Sequence, residues 1–152
     1  MLLKRLKHFL TLLIVISLVV LGLFLLAKSP YMQYKIKFEN EATLIPNPSN
    51  KWELEQELLV WVNDHLLLVP ARFVTDLASI PWILQWKYNP EDISLIRPAI
   101  LHDYLYQDPN GFSRAEADTI FYDALRVEGN SWFDSYAMYS AVRLFGWYHY
   151  AP

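Results

Sequence analysis

The stretch Ala99–Phe121, AILHDYLYQDPNGFSRAEADTIF, places polar side chains inside apolar, helix-forming sequence. His102 and Asp103 are adjacent, Tyr106 follows the histidine by one helical turn, and Asp118 lies in a later Ala-rich run. One imidazole with two or three carboxylates suits a divalent ion such as zinc or manganese. Such an ion lowers the pKa of bound water, which is the chemistry of a metal-assisted hydrolase. In that reading His102, Asp103 and Asp118 are the metal ligands, and His102, Asp103 and Asp76 the catalytic set. No HExxH pattern is present, and His65 and His149 are candidates by residue type alone.

Two other readings use the same residues. Ser79 can act as a nucleophile with His102 as base and Asp118 or Asp76 as orienting acid. It lacks, however, the glycine-flanked elbow that exposes such a serine in many hydrolases. Alternatively, Asp76, His102, Asp103 and Arg143 bond one another, satisfying groups that are costly to bury alone. Ser79, Arg143 and Tyr106 then support the site rather than act in it.

Helical geometry constrains these choices. Neighbouring residues on an α-helix lie about 100° apart, so His102 and Asp103 cannot share one face. His102 and Tyr106 do share one. In the next helix Ala117, Ile120, Phe121 and Ala124 form the apolar stripe, with Asp118 at its edge, partly solvated and within reach of a histidine on the preceding helix. Arg143, among the aromatics of a third helix, needs a carboxylate partner, for which Asp76 and Asp103 are the candidates.

The elements that carry these residues are strands first and helices second, an α+β arrangement. Tyr34, Ile36 and Phe38 alternate with Lys35 and Lys37 as in a strand. Ile45–Asn50, IPNPSN, reads as a loop. From Trp52 to Val69 the alternation predicts one hairpin turning at Asn63–Asp64. Pro98 suits the first position of a helix that runs through Tyr106. Ser113 and Glu116 form a capping box for a second helix, which stops at Gly129. Ser131–Asp134 opens a third, reaching toward Trp147. The fold class expected is therefore α+β, an antiparallel hairpin or sheet followed by about three packed helices, preceded by a transmembrane helix.

That last element is Phe9–Ala27, a run of 19 residues without a charge. As a helix it would span about 28 Å, close to the hydrocarbon thickness of a bilayer. Lys4, Arg5 and Lys7 precede it, and Pro30 just after Ala27-Lys28-Ser29 disfavours cleavage, so it reads as a signal anchor. The expected organisation is a basic cytoplasmic N-terminus at 1–8, the anchor at 9–27 and one soluble α+β domain at 28–152. Clustered N-terminal basic residues put that domain on the far side, making a single-pass inner-membrane protein facing the periplasm. The absence of cysteine excludes a lipid-modified N-terminus and is neutral as to compartment.

All sixteen acidic residues but only nine of the thirteen Lys and Arg follow Lys28, which leaves that part at −7. A surface of that sign argues against nucleic acid as a partner.

Val69-Pro70, Phe73, TDLASIP, AILHDYLY, SRAEAD and YSAVRLFG occur in order between Trp52 and Gly146. Together they resemble a family of small phage and prophage proteins catalogued as domain of unknown function 1353. The resemblance implies a viral or prophage origin and supplies no activity. Arg72 stands where the VPAGF turn of that family carries glycine, so a left-handed backbone is not expected there. Two functions fit these observations. One is an envelope-side hydrolase acting on cell-wall material, with a His-Asp pocket and a divalent metal. The other is a non-catalytic envelope protein binding a host or phage partner, as in exclusion or lysis control.

Overall fold

The computed structural model describes residues 10–11, 14–17, 32–77 and 93–150. Among the described residues from 32 on, six short strands precede three helices. The strands are β1 (Ile36–Phe38), β2 (Leu44–Asn47), β3 (Lys51–Leu54), β4 (Leu58–Val62), β5 (His65–Val69) and β6 (Val74–Thr75). The helices are α1 (Ile93–Gln107), α2 (Arg114–Val127) and α3 (Trp132–Phe145), and a 3-10 turn follows at Gly146–Tyr148. The α+β class expected from the sequence is the one observed.

The strands form two antiparallel three-stranded sheets, β1-β4-β5 and β2-β3-β6. This corrects the single hairpin expected over Trp52–Val69. The tight hairpin is β4–β5 alone, closing with Val62 opposite His65, while β3 pairs with β2 and β6. Asn63, the first turn residue, adopts φ +54°, a region that asparagine tolerates better than most side chains. The alternation nonetheless matches the burial: Leu54, Leu58, Val60 and Val62 all face the core.

The expected loop at Ile45–Asn50 is in part strand β2, with Pro46 opposite Trp52. Because β2 is an edge strand, a proline there need remove no ladder bond. Arg72 is also corrected, for it does adopt a left-handed φ of +68°. Its N–H donates to the Leu54 carbonyl at 2.7 Å and its Nε to Glu53 at 3.2 Å. These bonds hold a conformation that costs a non-glycine residue roughly 1–2 kcal/mol.

Helix α1 begins five residues before Pro98, which lies inside it rather than at its start. Proline lacks the N–H that would bond the carbonyl of Ser94 one turn earlier. The side-chain amide of Asn130 fills that gap, donating to the Ser94 carbonyl at 2.9 Å. The α2–α3 connection thereby completes the hydrogen bonding of α1.

Helix α2 begins at the expected capping box, with Ser113 Oγ accepting from the Glu116 N–H and Glu116 accepting from the Ser113 N–H. Gly129, at φ +90°, lies just past its end. The burial of α2 is wider than an amphipathic stripe, since every residue from Ala117 to Leu125 is buried. The cause is its position: α2 packs against α1, α3 and β1. Leu58, Val60, Val62 and Val69 meet Ile100, Leu101, Leu105, Ile120 and Ala124 in the main core. Leu95, Phe121, Leu125, Met138 and Val142 form a second apolar cluster. Full burial of each large aliphatic side chain contributes about 1.5–3 kcal/mol.

The expected anchor at 9–27 lies largely outside the described residues, of which Leu10–Thr11 and Ile14–Ser17 are helical. Among the described residues no helix is long and apolar enough to cross a membrane. Helices α1 to α3 have 14 or 15 residues, against about 20 needed to span the hydrocarbon core. That finding contradicts the expected placement as a single-pass inner-membrane protein facing the periplasm.

Candidate functional site

The candidate residues divide into two groups because α1 sends His102 and Asp103 in different directions. His102 turns toward α2, where its Nε2 lies 3.0 Å from Asp118 Oδ1. Tyr106, one turn on, donates its hydroxyl to the same oxygen at 2.6 Å. From α3, Arg143 Nη1 donates to Asp118 Oδ2 at 2.8 Å. Arg114, one turn before Asp118 on α2, sets its guanidinium 3.7 Å from that oxygen and donates to the Arg143 carbonyl. That second bond satisfies a carbonyl at the C-terminal end of α3, where a cation also suits the helix dipole.

Asp118 is 0% exposed and His102 6%. The reach of the carboxylate across to the histidine agrees with expectation, but the partial solvation of Asp118 is corrected: Arg143 of α3 takes the second carboxylate oxygen, and the aspartate is wholly buried. Arg143 pairs with Asp118 rather than with Asp76 or Asp103. Burial alone would raise the Asp118 pKa; the His102 hydrogen bond and charge, with the Tyr106 and Arg143 bonds, outweigh it and hold the carboxyl below its usual range. With the acid anionic, the shared proton belongs on His102 Nε2. Burial, and then the Asp118 bond and charge, push the Tyr106 hydroxyl well above its ordinary value.

Gly146 is required by this cluster. A Cβ at that position would lie 2.6 Å from the Tyr106 hydroxyl oxygen, too close to be tolerated without displacement.

Asp103 faces the other way and accepts from the Thr75 hydroxyl at 2.5 Å. Thr75 Oγ1 in turn accepts from the Leu77 N–H at 2.9 Å. Leu77 has a left-handed φ of +57°, and the threonine bond pins that turn. Burial pushes the Asp103 carboxyl up to about 6, against the lowering effects of the Thr75 bond and the His102 charge. Asp76 is exposed. Ser79 lies outside the described residues.

A buried aspartate and histidine can orient an imidazole as a base, provided its other ring nitrogen reaches a substrate. Here the ring is packed between Tyr106 and Phe121, with centroids 4.1 and 4.7 Å away. A metal needs free lone pairs directed to one point. Both Asp118 oxygens already accept hydrogen bonds, and Asp103 turns away toward Thr75. His102, Asp103 and Asp118 thus do not converge, and no group of three metal-ligating side chains forms among the described residues. The expected ligand set is therefore not brought together at one point. Asp76, His102, Asp103 and Arg143 also fail to form the single network expected from the sequence.

Three contributors lie outside the candidate set drawn from the sequence. Arg114 had a legible signal, a cation four residues before an acid on one helix. Thr75 gave none beyond its suitability for a turn. Asp123 is an acid within the apolar run Ile120–Leu125, fully buried, and accepts from the Gln33 and Tyr34 N–H groups at 3.0 and 2.8 Å. It fixes the chain entering β1 to α2. Burial raises its pKa, against the pull of those two backbone bonds.

Fold and site together define an α+β domain organised around an Asp-His-Tyr-Arg cluster whose aspartate is fully buried. The chain belongs to the family described as "Protein of unknown function (DUF1353)", whose model matches residues 52–142. The match runs from β3 into α3 and includes Thr75, His102, Asp103, Tyr106, Arg114 and Asp118. It carries no source, so a phage or prophage origin is not part of the assignment. No curated protein and no solved structure matches the chain.

Proposed function

We propose that this domain is a non-catalytic, partner-binding module and that its His-Asp cluster is a structural lock joining three helices. The observation that supports this most directly is the saturation of Asp118. It is fully buried, and His102, Tyr106 and Arg143 occupy both of its oxygens. A hydrolytic site needs an acceptor or a ring nitrogen open to substrate or water. The Thr75–Asp103 pair meets that need no better, because Thr75 is only 2% exposed.

The test is elemental analysis of the purified full chain together with His102→Ala. The expected result is no stoichiometric zinc or manganese in the wild type, no effect of chelator on its unfolding midpoint, and a large loss of stability in the variant. A stoichiometric metal that disappears in a variant of undiminished stability would overturn the proposal and restore the metal-assisted hydrolase.

A further inference from the structure

Among the described residues, strand β5 is an edge of its sheet, hydrogen-bonded to β4 on one side only. The two-residue turn at Asn63–Asp64 makes Val62 and His65 the closing pair of the hairpin. Alternation then directs the backbone groups of Leu67 and Val69 to β4 and those of Leu66 and Leu68 outward. The side chains of Leu66 and Leu68 are 48% and 47% exposed. Natural edges are usually blunted by charge, proline, a bulge or a covering loop. The sequence of β5, HLLLV, contains neither a carboxylate, a lysine or arginine, nor a proline.

A cleft of about 610 Å³ opens at the start of this edge. Trp61, Asp64, His65 and Leu66 line it from the hairpin, Phe112 and Glu116 from the α1–α2 connection and the first turn of α2. Its lining holds two carboxylates and no lysine or arginine. Asp64 has no ion-pair partner among the described residues. Glu116 is held below the usual carboxylate range by its bonds to Ser113, so it stays anionic at neutral pH.

We propose that the β5 edge and this cleft form a docking groove for an extended peptide carrying Lys or Arg beside apolar side chains, which joins the sheet as an added strand. This deepens, and rests on, the reading of the domain as a partner-binding module. Backbone bonds to Leu66 and Leu68 supply sequence-independent affinity, as in other strand additions. Asp64 and Glu116 supply the sign preference, and the net charge of −3 on the whole chain favours encounter with a cation. A second copy of β5 offers the same apolar side chains without the cation that the cleft calls for.

The test uses the full chain and three probes: a short peptide alternating lysine with valine, its glutamate–valine counterpart, and the lysine peptide N-methylated along one edge. Titration calorimetry should show saturable binding of the first, at least about tenfold tighter than the second, and weakening with salt. The N-methylated peptide should not bind. Asp64→Asn should lower affinity several-fold, and Leu68→Pro, which removes an outward N–H from an exposed edge, should abolish binding while the fold persists. Equal binding of both charged peptides overturns the proposal, as does no saturable binding of the lysine peptide. So does self-association of the chain that Leu68→Pro abolishes and the peptide leaves untouched. If the groove fails while His102→Ala behaves as a structural variant, the groove alone falls; a metal lost from a stable His102→Ala chain removes the reading beneath it.

Discussion

His102 and Asp118 meet through a single 3.0 Å hydrogen bond that ties the middle of α1 to the beginning of α2. The bond does not stand alone, because Asp118 also takes a hydroxyl from α1 and a guanidinium from α3. One carboxylate therefore serves three helices. A buried charge in that position is held by its partners, and each partner is held by it, so damage to the centre should spread.

Asp118→Asn should accordingly be among the most damaging single changes in the chain. It leaves Arg143 and Arg114 beside a neutral amide that cannot replace the charge. Breaking a buried ion pair from one side costs about 3–5 kcal/mol. Urea unfolding at neutral pH measures this, and a loss below about 1 kcal/mol, the value expected of an exposed pair, would show that the cluster is not a lock.

The pH dependence should have two opposed components. Asp118 has its folded-state pKa lowered, so its contribution is present above the unfolded carboxylate value and lost as the pH falls through the folded one. Asp103 is raised to about 6. Its folded state binds the proton more tightly, so stability drops as pH rises from about 4 to about 6. Asparagine resembles the protonated acid and still accepts from Thr75. The advantage of Asp103→Asn over wild type should therefore grow across that interval, by on the order of 1–2 kcal/mol after allowance for partial exposure. A difference that stays constant with pH would refute the assignment.

The proline inside α1 gives a test by double-mutant cycle. Asn130→Ala exposes the Ser94 carbonyl as an unmet acceptor and should cost about 1–3 kcal/mol. In a Pro98→Ala background the helix supplies its own N–H to that carbonyl, so the same change should cost measurably less. Equal costs in the two backgrounds would show that Asn130 acts elsewhere, through its Leu125 contact at 3.1 Å.

Gly146→Ala should displace the Tyr106 hydroxyl from Asp118. The expected loss is about 1–3 kcal/mol, the range for overpacking in a well-filled interior. Tyr106→Phe removes the atom that the new methyl meets first, so the double variant should lose less than the two single losses combined. Thermal melts of the four proteins decide it.

Much of the local structure was legible in the chain. Ser113 and Glu116 announce a helix start, Asn63–Asp64 a two-residue turn, Gly129 a helix end and Leu58–Val62 a half-buried strand. Each depends on side chains within a few residues of one another, whose geometry the backbone fixes. Arg72 and Pro98 broke their local rules because a distant or adjoining segment supplied the missing bond: the Leu54 carbonyl for the one and the Asn130 amide for the other.

The site was legible only in its membership. The sequence by itself determined that His102 and Asp103 must diverge, that His102 must stack near Tyr106, and that an acid on the following helix lies within reach. Only the tertiary structure decided that Arg143 chooses Asp118, that Asp103 chooses Thr75, and that the shared carboxylate is wholly buried. Helical periodicity reports which residues share a face; it says nothing of how many neighbours a helix has. Burial of α2 between α1, α3 and β1 is a property of the packing, and that packing places Asp118 in the interior with three side chains on its two oxygens.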